Sequence, residues 1–242
     1  MKRKVLQSGI IMILVAAMAA ACGDSKAEKS QDEQALYALY DEGIKDAVFA
    51  DEDEIMELVS LTKDDTRVEW DAQGRVLLLT LHNYPDSYPE GEKVTLEWGT
   101  VWTFVEKDME SAYAKEAKYG EDSDMILKQL IGLPPDGEYS TVTGFWVDTK
   151  DVVRPAYQPN PLDGSMTTEF SENVDAEFKT WFDDNILDSY FYGEYPWTRL
   201  GYTYNWSGHG TEYGVTEFLV KQGAEVEVEF TVSADEFVKK LE

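Results

Sequence analysis

Leu36, Tyr40, Ile44 and Val48 recur four residues apart and predict a helix starting near Glu33 with one apolar stripe. Asp51, with Glu54 at the third helical position, predicts a second helix whose Ile55, Leu58 and Val59 face inward. The acidic run 51–54 is then a negatively charged helix N-terminus. Segments 67–70 and 75–81 read as two strands across the Asp71-Ala72-Gln73-Gly74 turn, a hairpin pattern. The second of them is nearly continuous in apolar residues, which predicts a central strand covered on both faces. Segments 94–98 and 101–105 read as another strand pair around Gly99.

Further along, Met109, Tyr113 and Ala117 share a helical face, and Gly120 ends that helix. Ser123 is placed to cap the next helix, with Ile126, Leu127, Leu130 and Ile131 inside and Gly132 and Pro134 as its stop. Segment 141–147 reads as a strand. Residues 151–169, with Pro155, Pro159, Pro161 and Gly164, form a long irregular loop. Segment 174–192 is the strongest helix, with Phe178, Phe182, Ile186 and Tyr190 as an i+4 ladder. An extended aromatic stretch follows over 195–213. Segments 217–220 and 225–232 predict a hairpin across Lys221-Gln222-Gly223, and the alternation from Glu225 to Val232 leaves one face wet. Ser233 with Glu236 predicts a capping box opening a last short helix. Helices and strands do not alternate strictly and the strand pairs have short turns. The expected fold is therefore α+β, a mainly antiparallel sheet packed with several helices.

The first residues change the picture of where this fold resides. Lys2, Arg3 and Lys4 precede an uncharged apolar run, 9–21, that ends in Ala19-Ala20-Ala21. This is the layout of a secretory signal, and the run is shorter than the ~20 residues a spanning helix needs. Cys22 is the single cysteine of the 242 residues and directly follows the small residues. The segment resembles a bacterial lipoprotein signal, with Ala19 where Leu, Val or Ile is usual. The resemblance implies diacylation of Cys22 and a palmitate-bearing membrane anchor on the extracytoplasmic face. The alternative is ordinary cleavage with Cys22 incidental. The organisation that follows is a signal peptide over 1–21, an anchor site and polar tether over 22–34, and one globular domain over 35–242.

A lone cysteine allows no intramolecular disulfide, and acylation removes it as a nucleophile or thiolate ligand. Of 21 basic side chains three lie in the signal, leaving 18 against 48 acidic ones and a net charge near −30. Such a surface repels nucleic acid, so none is expected as partner. Phosphate-loop, zinc-helix and nucleophile-elbow motifs are absent, and no cofactor is implied.

Candidate chemistry rests on few residues. His82 and His209 are the two histidines, and acids such as Asp86, Glu90 or Glu212 would complete a metal or acid–base site if they met. Tyr202, Tyr204 and Trp206 would share one face of an extended strand and stack on a sugar ring or peptide, unless they simply pack over the sheet. Arg154 and Arg199 would clamp a carboxylate in two-pronged fashion, or form internal ion pairs.

Three segments carry a wider resemblance: His82-Asn83-Tyr84-Pro85-Asp86-Ser87-Tyr88-Pro89; Leu130-Ile131-Gly132-Leu133-Pro134-Pro135 with Phe145-Trp146-Val147 and Arg154-Pro155; and the run from Tyr195 to Tyr204. Together they are similar to a family of uncharacterised bacterial cell-envelope proteins, over most of the mature chain. The resemblance implies placement at the envelope and transfers no activity or catalytic residue. Relatives carry a cysteine after the Arg-Pro pair, where this chain has Ala156. Three functional readings follow. One is a non-enzymatic lipoprotein binding a glycan, peptide or envelope protein through loops 82–92, 151–169 and 195–213. Another is a hydrolase using His82 or His209. The third is a structural envelope component.

Overall fold

The computed structural model describes residues 30–242. The signal segment, Cys22 and the first part of the tether lie outside the described residues. No helix among the described residues is long and apolar enough to cross a membrane.

The fold is α+β, one domain built on an antiparallel sheet of eight strands. In chain order the strands are β1 (Val76–His82), β2 (Lys93–Thr95), β3 (Val101–Phe104), β4 (Thr141–Val147), β5 (Val152–Val153), β6 (Tyr202–Tyr204), β7 (Tyr213–Val220) and β8 (Glu225–Ser233). The helices are α1 (Gln31–Ala47), α2 (Glu106–Glu116), α3 (Ser123–Leu130), α4 (Ala176–Leu187) and α5 (Ala234–Leu241). Across the sheet the order is β2-β8-β4-β1-β3-β7-β5, with β6 pairing β7 outside that path. The apolar β1 is the middle strand, and both its faces are covered, as its composition implies.

The expected hairpin between residues 217 and 232 does not form. Its two segments are β7 and β8, and β3, β1 and β4 lie between them in the sheet. Lys221 N–H donates to Asp151 O, and Gly223 N–H to Leu96 O, instead of closing a ladder between the two strands. In a flat sheet these strands would stand about 19 Å apart, four spacings of ~4.8 Å. The five steps from Val220 to Glu225 reach at most ~18 Å fully stretched. Part of that length is used in a turn, where Ala224 N–H bonds Lys221 O at 3.1 Å. The sheet therefore curls until β7 and β8 face each other. Phe218 and Val220 of β7 meet Val226 and Val228 of β8 in one buried cluster with Val76, Leu78, Phe145 and Val147. A short polar turn looks the same in sequence whether it closes a ladder or bridges the mouth of a curled sheet.

Two other strand pairs are also redrawn. The strands around Gly99 part company: β2 pairs β8 at the sheet edge, whereas β3 inserts between β1 and β7. Ahead of β1 the hairpin shrinks to the bridge Trp70↔Val76. Its turn is held by Asp71, whose carboxylate accepts from the Gln73 and Arg75 backbones and from the Arg75 side chain.

On the convex face of the sheet lie α2, α3 and α5. Met109, Tyr113, Ile126, Leu127, Leu130, Phe237 and Val238 pack there on Leu77, Leu79, Phe104, Val142 and Val215. Each such side chain buried contributes roughly 1.5–3 kcal/mol. Helix α3 comes very close to β7: a Cβ at Gly214 would stand 2.0 Å from Leu130 O, so this position admits only glycine. The capping box at Ser233 and Glu236 is present. Helix α3 is capped by Asp122, one residue before the expected Ser123.

Helix α1 begins at Gln31, earlier than expected, because Ser30 and Glu33 form a reciprocal capping box. Its buried face is Tyr40, Gly43 and Ala47, with Val48 left exposed. The predicted helix after Asp51 is a single 3-10 turn, Glu52–Glu54, after which Leu58 and Val59 enter the core from extended chain. Helix α4 starts at Ala176 under an Asp175 cap, and its C-terminus widens into a π turn over Asp188–Tyr192. There the Gly193 N–H reaches five residues back to Asp188 O.

Candidate functional site

A cavity of about 730 Å³ opens beside the convex face of β1, β3 and β7, within the usual volume range of small-molecule sites. Its buried end is formed by Phe104, Trp197 and Glu217, each 5% exposed or less. Around them stand Ile131, Gly132 and Leu133 after α3, Thr203 and Tyr204 of β6, and Asn185, Asp188 and Ser189 of α4 and its π turn. Tyr84, Trp102, Tyr192 and Tyr195 line it too and keep much of their surface in solvent, which places them at the mouth. The π turn matters because its extra residue re-aims the helix end that supplies Asp188 and Ser189.

Two of the three expected loops, 82–92 and 195–213, reach this cavity. Loop 151–169 does not. It folds around its own cluster, in which Ala156 and Met166 pack on Leu58, Leu200 and Tyr202.

Of the side chains singled out in the sequence, only His82 and Tyr204 line the cavity. Tyr202 is 1% exposed and stacks on Tyr213 with ring centroids 4.0 Å apart. Trp206 is equally buried, its indole N–H donating to Leu133 O at 2.9 Å and its ring set edge-on to Tyr40. These two rings are core, not a stacking surface. Tyr204 lies over Gly43 of α1, and its hydroxyl donates to Asp46 at 2.8 Å.

Neither arginine meets a carboxylate among the described residues. Arg154 is fully buried and donates to the carbonyls of Asp163, Val59 and Pro161, with its guanidinium over the Phe218 ring. Arg199 adopts a left-handed backbone, φ 61°. It donates to Tyr157 Oη and to Ala47 O and Val48 O. Those last two are the orphan carbonyls at the end of α1, so Arg199 is the cap of that helix. Both arginines sit where backbone carbonyls converge, a pattern with no local sequence mark.

The histidines stay apart. His209 stacks on Tyr119 and lies 3.7 Å from Glu116 and 4.0 Å from Glu121. His82 sits on β1 against β4. No group of three His, Cys, Asp or Glu side chains suited to a metal ion occurs among the described residues. His82 Nδ1 accepts the Tyr84 backbone N–H at 2.9 Å, which fixes the ring proton on Nε2. Nε2–H then donates to Thr143 Oγ1 at 2.8 Å. Thr143 passes the chain on to Thr231 at 2.9 Å, and Thr231 donates to Tyr88 O at 2.7 Å. Both ring nitrogens are engaged, so this imidazole holds strands together and has no lone pair to offer a metal or a proton.

Burial depresses the His82 pKa from 6.5 to about 4. The unfolded chain binds the proton more tightly, so this residue's stabilisation is present above pH 6.5 and is lost as pH falls toward 4. We expect a loss on the order of 1–2 kcal/mol across that window, allowing for solvent screening. Urea unfolding at stepped pH checks it: the acid-side slope should be smaller in His82→Gln, and an equal slope would contradict the assignment.

Glu217 was legible only as a strand residue. It alternates with Val215 and Leu219, and so places a carboxyl on an apolar face, which is the sequence signal that marks it. It is 4% exposed, and its Oε1 has no hydrogen-bond partner among the described residues. Burial pushes its pKa well above the usual carboxylate range, against smaller pulls from the Trp197 N–H and the Arg154 charge.

Comparison with known proteins finds no matching family model, no matching curated protein and no matching solved structure.

Proposed function

We propose that this chain is an exported lipoprotein, anchored through Cys22, that binds a small ligand in the cavity beside β1, β3 and β7. The observation that supports the binding reading is the cavity itself: about 730 Å³, rich in aromatic side chains, with one nearly buried carboxyl. The hydrolase reading loses its His82 arm, because that imidazole has both nitrogens hydrogen-bonded; His209, 3.7 Å from Glu116 and 4.0 Å from Glu121, does not line the cavity. The anchor rests on the N-terminal sequence alone. Replacing Cys22 with serine is expected to abolish incorporation of labelled palmitate and to release the protein from the membrane fraction; unchanged labelling would refute lipidation at Cys22.

A thermal-unfolding screen with amphipathic compounds of cavity size tests the binding function. A ligand at 100 times its dissociation constant adds ~2.7 kcal/mol, a rise of about 5–10 °C for a domain of this size. An unmoved midpoint across a set spanning cations, neutral alcohols and anions would count against the reading.

A further inference from the structure

We propose that the ligand is an organic cation, a protonated amine or quaternary ammonium on an apolar body, with Glu217 as its counter-charge; this rests on the cavity-binding reading above. An almost fully buried carboxyl with an unpartnered oxygen is costly in its charged form, and a cation beside it would supply the missing partner and favour ionisation. Arg154 does not complete it. Its terminal nitrogens donate to backbone carbonyls, its Nε–H has no partner among the described residues, and it lies over Phe218, which points to the opposite face of β7 from Glu217.

The walls agree in sign. Among the described residues no lysine or arginine lines the cavity, whereas Asp188 is a second acid in it. An anionic ligand would enter a site with two carboxyls and no positive side chain. Trp102, Trp197 and Tyr204 are aromatic residues of the same lining, and a desolvated cation over such a ring gains further attraction. The acidic surface of the whole chain raises the local concentration of cations.

Calorimetric titration of the purified protein at neutral pH and low salt with 2-phenylethylamine, 2-phenylethanol and phenylacetate separates the charge states on one apolar body. The amine is expected to bind at least tenfold more tightly than the alcohol, and phenylacetate most weakly. Glu217→Gln should lower the amine's affinity to that of the alcohol. Should that variant fail to fold, Trp102→Leu is the second test: Trp102 is 38% exposed, and its loss should weaken the amine more than the alcohol. An alcohol or phenylacetate that binds as tightly as the amine overturns the cation assignment and leaves the cavity reading standing. If none of the three binds, both are overturned.

Discussion

Trp206→Ala is expected to cost about 3–5 kcal/mol, a large part of the 5–15 kcal/mol that holds a typical domain together. The indole is 2% exposed and joins two parts of the structure. Its ring edge meets Tyr40 of α1, and its N–H bonds Leu133 O in the cavity wall. Alanine removes the ring, leaves a cavity and orphans a carbonyl. Urea unfolding measures the change. A loss under 1 kcal/mol would return Trp206 to the surface role that its place in an aromatic strand suggested.

Arg154→Met is expected to cost about 3 kcal/mol in the same assay. Two effects oppose each other. Methionine removes the burden of burying a charge with no carboxylate beside it, which by itself stabilises. It also strips the donors from Val59 O and Asp163 O, which have no other hydrogen-bond donor among the described residues. Each buried acceptor left unpaired costs about 1–3 kcal/mol. Two such losses exceed the gain, because the carbonyls stay buried when the charge is gone. Arg154→Lys should fall between, since an ammonium keeps the charge and loses the fork that spans two carbonyls. A methionine variant as stable as the wild type would show that loop 151–169 closes without this anchor.

Local periodicity revealed most elements and few of their partners. The apolar run of β1 announced a strand covered on both sides, and it is the centre of the sheet. The Ser233 and Glu236 pair announced α5. Strand pairing is not legible where a turn resembles a hairpin, because a curled sheet lets β7 and β8 be neighbours in sequence with three strands between them. Helix widening at Asp188 leaves no mark in an i+4 ladder that continues through Tyr190.

The site was less legible for a related reason. The residues that stand out in the sequence are rare ones, the two histidines and Arg154 and Arg199. In the structure His82, Arg154 and Arg199 satisfy backbone or strand partners, and His209 stacks on Tyr119 away from the cavity. The cavity is assembled from five separate stretches, and its most unusual group is one of 48 acidic residues. Only the position of Glu217 within an apolar strand face set it apart.

The most direct test of the cavity as the binding site is fluorine NMR of protein labelled with 5-fluorotryptophan. The chain has seven tryptophans. Trp102 and Trp197 line the cavity, whereas Trp70, Trp146 and Trp206 do not. Titration with 2-phenylethylamine, and in parallel with 2-phenylethanol, is predicted to move the Trp102 and Trp197 resonances in a saturable way and to leave those of Trp70, Trp146 and Trp206 in place. Saturable shifts confined to Trp70, Trp146 or Trp206, or binding that moves neither Trp102 nor Trp197, would contradict the account.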